Sequence, residues 1–349
     1  MDDQLADMVA RLHPDAEGVD IADFAPIPGG FSRETFRFDA TVRSASGTET
    51  LPMILRKDPP DAVAILQTSR LVEHELIEAI RANTSVPVAR SYGAEMDPSV
   101  FGEAAMIIER APGNGLTSDL FNGGRDEDQV DDVCGHLCEA LVALHQADIA
   151  TIDPNESLSD PRNVGVDVSS WDAYMDSTLE YYISAYDEVS YDPAVMVLLD
   201  SFLTLRRTKP RPLPLVPVHG DFNPANFLYA DGKVTALIDW ENSRVGDPRE
   251  DLGWMMMMDT LSNTSVMAHP ADKGGFLGYY NELTGLDITV EEIGYFILFG
   301  TANIAVPVQS AIKRRQAGEH RELLHLYLLQ PSAHGLAGMG QLMGYPGMV

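Results

Sequence analysis

Asp221, Asn226 and Asp239 are the residues of this 349-residue chain whose types and spacing point most directly to chemistry. They stand in His219-Gly220-Asp221-Phe222-Asn223-Pro224-Ala225-Asn226 and in Ile238-Asp239-Trp240-Glu241, separated by two apolar runs around Asp231-Gly232. A carboxylate such as Asp221 can take a proton or hydrogen bond from a hydroxyl, and the hard oxygens of Asn226 and Asp239 suit Mg²⁺. An Asp-Gly turn between apolar runs predicts a β-hairpin, which brings Asn226 and Asp239 to neighbouring strand ends.

The elements that must carry this hairpin change character along the chain. Residues 24–27, 35–38 and 51–56 read as strands, the first two joined by the turn Pro28-Gly29-Gly30-Phe31-Ser32. Thr68 or Ser69 can cap a helix over 70–81, with Leu71, Leu76, Ile77 and Ile80 on its apolar side. Residues 86–88 and 104–108 supply two more strands. At Arg110-Ala111-Pro112-Gly113-Asn114-Gly115 the pattern breaks, and the remainder of the chain is mainly helical. Asp126 can cap a helix over 127–146, in which Val130, Val133, Leu137, Leu141 and Leu144 recur at helical spacing. Residues 171–185, 291–305 and 321–329 are further helical segments, and 216–218 extends into the Asp221 loop. The chain therefore divides at a hinge about residues 109–115, into 1–110 and 111–349.

Charge excludes some function classes. Lys and Arg number 24 against 53 Asp and Glu, a net charge of −29. Such a chain repels phosphate backbones and anionic lipid, so neither nucleic acid nor membrane is an expected partner. Cationic molecules, or anions escorted by Mg²⁺, remain compatible. The two cysteines, Cys134 and Cys138, make no disulfide framework, and no run of about 18 apolar residues occurs. A cytoplasmic, reducing setting is expected.

An Asp, an Asn five residues later and an Asp beyond a short hairpin match the spacing with which kinases orient a hydroxyl and hold Mg²⁺. Together with Gly246-Asp247-Pro248-x2-Asp251-Leu252, the set resembles the aminoglycoside phosphotransferase family, the small-molecule branch of the protein-kinase-like fold. It is similar in particular to the kinase domains fused to acyl-CoA dehydrogenases. Gly29-Gly30-Phe31-Ser32-Arg33-Glu34-Thr35, Ile54-Leu55-Arg56-Lys57, Ala140-Leu141-x2-Leu144-His145 and Tyr280-x2-Leu283-Thr284-Gly285 extend the likeness over most of the chain. The resemblance implies an α+β, bilobal protein-kinase-like fold, with an antiparallel sheet and helix in the N-lobe and a larger, mainly helical C-lobe. It also implies ATP-dependent, Mg²⁺-assisted phosphorylation of a small-molecule hydroxyl.

Carried over residue by residue, the likeness gives Asp221 the acceptor hydroxyl and Asn226 and Asp239 the metal. Gly30 and Ser32 would cover the ATP phosphates. Arg56 stands where kinases usually have a phosphate-binding lysine, with Glu73 as its helix partner; alternation puts the adjacent Lys57 on the opposite face, and a one-residue slip of register would exchange the two, with Arg56 the favoured reading. The Glu109 carbonyl and the Ala111 N–H would meet the adenine edge. Asp247 and Asp251 would brace the catalytic loop through backbone hydrogen bonds, while His219 and His145 would pack. The run Trp254-Met255-Met256-Met257-Met258 is expected as core helix, with a soft substrate wall as the alternative, and Cys134, His136 and Cys138 fit no zinc spacing. Gly220 in place of the protein-kinase arginine, Asn223 in place of its lysine, and Trp240-Glu241 after Asp239 favour a small acceptor over a protein. Aminoglycoside-like, hydroxyacyl or hydroxy-acid, and phenolic or alcohol acceptors all suit the likeness. Two other classes stay open: a nucleotide-binding regulatory module without turnover, and a metal-dependent hydrolase using Asp221, Asp239, Asp247 and Asp251.

Overall fold

Alternating side chains build the first part of the fold, seen in a computed structural model of the chain. It describes all residues except 28–32, 60–68, 116, 122–125, 160–165, 190–192, 317–328 and 345–349. Helix α1 (Asp2–Leu12) precedes strands β1 (Ala16–Pro26), β2 (Glu34–Ser44) and β3 (Gly47–Lys57), each longer than the sequence pattern indicates. With β4 (Ser91–Glu95) and β5 (Ala105–Glu109) they form a five-stranded sheet in the order β1-β2-β3-β5-β4, every neighbour antiparallel. One face buries Phe38, Ala40, Met53 and Leu55 against Leu5, Met8 and Val9 of α1, whose spacing at i, i+3 and i+4 is helical. The segment expected as a strand over 86–88 is not one; Val88 makes an isolated bridge to Leu237.

Helix α2 (Arg70–Asn83) lies on the sheet and starts at Ser69, whose Oγ accepts the Val72 N–H at 3.4 Å. Its inward face departs from expectation. Leu76, Ile77 and Ile80 are buried, but Leu71 is 43% exposed and the charged Arg70 and Glu73 are buried instead.

The rest is mainly helical: α3 (Pro98–Phe101), α4 (Thr117–Phe121), α5 (Glu127–His145), α6 (Ile149–Ile152), α7 (Trp171–Val189) and α8 (Pro193–Arg207), then α9 (Arg249–Leu261), α10 (Gly275–Thr284), α11 (Val290–Gln316) and α12 (Leu329–Leu342). In α5 all five residues picked out by periodicity are buried, and Asp126 caps its first turn. The helix expected over 321–329 falls almost wholly outside the described residues. Between α8 and α9 the chain forms β6 (Val216–Val218), the hairpin β7 (Phe227–Ala230) and β8 (Lys233–Leu237), and β9 (Arg244–Gly246), which pairs with β6. The hairpin turns at Asp231 and Gly232, both at positive φ, as an Asp-Gly turn requires. Among the described residues no helix is long and apolar enough to cross a membrane.

Candidate active site

The Asp221 loop is held by its own backbone. Asp251, fully buried on α9, accepts the His219 N–H at Oδ2 and the Gly220 N–H at Oδ1, both at 2.8 Å, and its Oδ2 also takes His145 Nε2 at 3.1 Å. Burial alone would raise the Asp251 carboxyl, but His145, His219 and the backbone donors outweigh it and hold it below its ordinary value. Gly220 sits at φ 78°, and a Cβ there would collide with the Asn242 carbonyl, so no side chain fits where protein kinases have arginine. His219 packs, as expected: its ring lies 4.6 Å from that of Trp240, and Nε2 donates to the Ile238 carbonyl at 3.0 Å. Asp247 differs from expectation. Its oxygens go to Trp171 Nε1 and the buried Arg249 rather than to the loop, because a guanidinium fully closed off from solvent needs a carboxylate.

Thus fixed, Asp221 is surrounded by nitrogen donors. Its Oδ1 accepts from Trp254 Nε1 at 2.7 Å and Asn223 Nδ2 at 2.9 Å, and its Oδ2 from Asn226 Nδ2 at 2.8 Å. The hairpin brings Asn226 to Asp239 through the Phe227–Leu237 pair and the Ile238 N–H, which donates to the Asn226 carbonyl at 3.0 Å. Burial, reinforced by the negative Asp239, pushes the Asp221 carboxyl up to about 7 although its three donors pull the other way.

Across the site stands a group of buried charges. Arg56 on β3 gives Nη1 to Glu73 at 2.7 Å and Nη2 to Asp239 Oδ1 at 2.6 Å. Lys57 points elsewhere and pairs with Glu34 at 2.5 Å. Arg70 pairs with Glu73 and Asp58, Arg33 lies 2.9 Å from Asp58, and Glu241 sits within 4 Å of all three arginines. Burial would draw the Asp239 carboxyl up, but Arg56 outweighs it and keeps Asp239 ionised below its usual range. Burial and Asp239 together push Glu241 upward.

These positions include residues that sequence reasoning missed: Asp58, Arg70, Asn223 and Trp254, and roles for Arg33 and Glu241, which the motifs contain. Trp254 is a correction: it leaves the core and meets Asp221, while Met255 behind it is buried. Gly30 and Ser32 lie outside the described residues. Glu109 ends β5, with its N–H on the Arg90 carbonyl at 2.8 Å, and Ala111 comes next but one, in the segment that Asn114 ties to Tyr229.

The donor set suits Mg²⁺. Asn226 and Asp239 bring an amide and a carboxylate to neighbouring ends of the hairpin, and the negative charge of Asp239 that pushes Asp221 up is charge a divalent cation would offset. Mg²⁺ is characteristically held by one or two such groups together with water and phosphate. A cage of three or more His, Cys, Asp or Glu is absent among the described residues, and Asp247 and Asp251 spend their oxygens elsewhere, which removes the ligand set of a carboxylate-cage hydrolase.

The same architecture recurs in other proteins. The chain is 26% identical over 259 residues to acyl-CoA dehydrogenase family member 10 of Mus musculus, covering 73% of this chain and 22% of that protein. It spans about a quarter of the length of such relatives. The crystal structure of a candidate aminoglycoside phosphotransferase from Ralstonia eutropha aligns with a TM-score of 0.67 at 20% identity, over 96% of each chain. A thermostable mutant of aminoglycoside phosphotransferase APH(4)-Ia, in a ternary complex with AMP-PNP and hygromycin B, aligns at 0.57 and 16% identity, over 97% of this chain and 99% of that one. These neighbours share the α+β, protein-kinase-like fold. The model of the APH phosphotransferase enzyme family matches residues 23–280, from β1 through α10, and the chain belongs to that family.

Proposed function

We propose that the chain transfers the γ-phosphoryl group of ATP to a hydroxyl of a small molecule. The observation that carries this reading is one constellation: Asp221 held by Asn226 at 2.8 Å, beside an Asp239 that Arg56 reaches at 2.6 Å. Phosphoryl transfer needs positioning and charge neutralisation more than a protein nucleophile, and these residues supply both. Asp221 receives the acceptor hydroxyl. Asn226 and Asp239 hold Mg²⁺, which when bound offsets charge on the phosphates. Arg56, steadied by Glu73, grips phosphate oxygens, and Gly30 and Ser32 cover them. The Glu109 carbonyl and the Ala111 N–H take the adenine edge, so the lobes are 1–110 and 111–349. The buried, unpaired cysteines suit a reducing, cytoplasmic setting.

The acceptor is a hydroxyl compound of one of three kinds: aminoglycoside-like, hydroxyacyl or hydroxy acid, and phenolic or alcohol. The hygromycin B complex of one neighbour supports the first, and the acyl-CoA dehydrogenase names of the relatives support the second. A coupled ADP-release screen over aminoglycosides, sugars, hydroxy acids, hydroxyacyl-CoAs and phenols identifies it. With that acceptor, Asp221→Asn should lower turnover by about 10²–10⁴-fold while ATP binding persists. Undiminished turnover in this variant would refute the assignment of Asp221. ATP binding without ADP release under any condition would favour a regulatory module.

A further inference from the structure

Asp221 has two oxygens, and the protein occupies them unequally. Oδ1 accepts from Trp254 Nε1 at 2.7 Å and Asn223 Nδ2 at 2.9 Å, whereas Oδ2 accepts from Asn226 Nδ2 at 2.8 Å. An ionised carboxylate offers about four lone-pair sites, two on each oxygen. Oδ1 is therefore filled by protein donors, and Oδ2 keeps one site for an incoming hydroxyl. The two asparagines belong to the same loop as Asp221 and move with it. Trp254 comes from α9 and fixes the carboxylate against a separate element. Its ring is half-buried and backed by α11, where a Cβ added to Gly300 would lie 3.3 Å from Trp254 Cε3.

We propose that Trp254 is a positioning residue for the transfer: by holding Oδ1 of Asp221 it leaves Oδ2 as the atom that takes the proton of the acceptor hydroxyl. The inference rests on the phosphotransfer reading above. In the step, the acceptor oxygen forms its bond to the γ-phosphorus while the bond from that phosphorus to the β,γ-bridging oxygen breaks. ADP leaves with that electron pair, and the hydroxyl proton passes to Oδ2. Without the indole N–H the carboxylate is held only by Asn223 and Asn226 of its own loop, and the aim of Oδ2 is no longer fixed against a separate element. The Trp254 indole N–H goes to Asp221, whereas Arg56 is bonded to Glu73 and Asp239, so nucleotide binding should be spared.

The test uses the full chain, ADP release and whichever panel acceptor the unmodified protein turns over, water included. Trp254→Phe keeps an aromatic ring and loses the donor; kcat should fall about 10–100-fold with KM for ATP changed by less than about twofold. Gly300→Ala, which crowds the ring from behind, should show the same split at a smaller size. In a ¹H–¹⁵N spectrum the Trp254 indole signal should move on Asp221→Asn while that of Trp171 stays. A Trp254→Phe kcat equal to that of the unmodified chain, a KM for ATP that rises in step with the loss of kcat, or an unmoved indole signal overturns the proposal. Absence of ADP release by the unmodified chain overturns the phosphotransfer reading and this inference with it, a result distinct from full turnover in Trp254→Phe.

Discussion

Arg56 reaches Glu73 and Asp239 at the end of a long side chain, whereas the loop bearing Asp221 is gripped through its peptide N–H groups by Asp251. The two sides of the site thus solve different problems. On the sheet side, three arginines face four carboxylates in a largely buried group, with one negative charge in excess and several carboxylates shared between arginines. On the helical side, short bonds to backbone leave Asp221 little freedom. Shared charge marks the sheet side, and fixed geometry the helical side, which are the two requirements of the phosphotransfer proposed above.

The largest expected effect strikes the rigid side. Asp251→Ala leaves the His219 and Gly220 N–H groups and His145 without their acceptor, and should cost about 3–5 kcal/mol of stability in urea denaturation together with most turnover. A variant that stays stable and active would erase the contrast. On the sheet side, Arg56→Lys keeps the charge but loses the planar fork that spans Glu73 and Asp239. KM for ATP should rise about 10–100-fold with the fold retained, read by initial rates over ATP concentration.

Acidity separates the two sides further, in metal-free protein. Asp221, raised to about 7, holds its proton more tightly when folded, so its contribution to stability is full below about pH 4 and lost as pH rises through about 7. Asp251, held low, contributes above about pH 4 and loses its contribution as pH falls through its folded value. Urea midpoints should therefore fall on both flanks, and Asp221→Asn should remove only the decline toward neutral pH. The smallest effect sharpens the assignment on β3. Lys57→Ala, which breaks a partly exposed pair with Glu34, should change stability by less than about 0.5 kcal/mol and leave KM for ATP unaltered.

Legibility in the sequence tracks the range of the interaction. The hairpin from Phe227 to Leu237 rests on a two-residue turn, and α5 on apolar recurrence, both local signals. Resemblance and alternation together anticipate the contact of Arg56 with Glu73, and the structure brings the two together at 2.7 Å. Arg70 illustrates what pattern alone misses. A charged residue in the first turn of a helix reads as solvent-facing, yet it is fully buried because Glu73, one turn on in the same helix, and Asp58 and Glu241 from two other places in the chain converge on it. Leu71, beside it, is displaced to the surface as a result. Trp254 escapes for a similar reason: a run of apolar residues signals a core, and only the approach of the Asp221 loop gives its indole N–H a partner.

The hairpin that carries Asn226 and Asp239 is also stapled to the sheet's approaches. Leu237 donates to the Pro87 carbonyl just before β4, and Asn114 and Tyr229 exchange two backbone bonds just after β5. Jaw-like separation of this hairpin from β4 and β5 would break these bonds, so hairpin and strands move as one piece. Because β5 in turn pairs with β3 from Met53 to Lys57, the same staples set the span between Arg56 and Asp239, as a caliper is set before it is used.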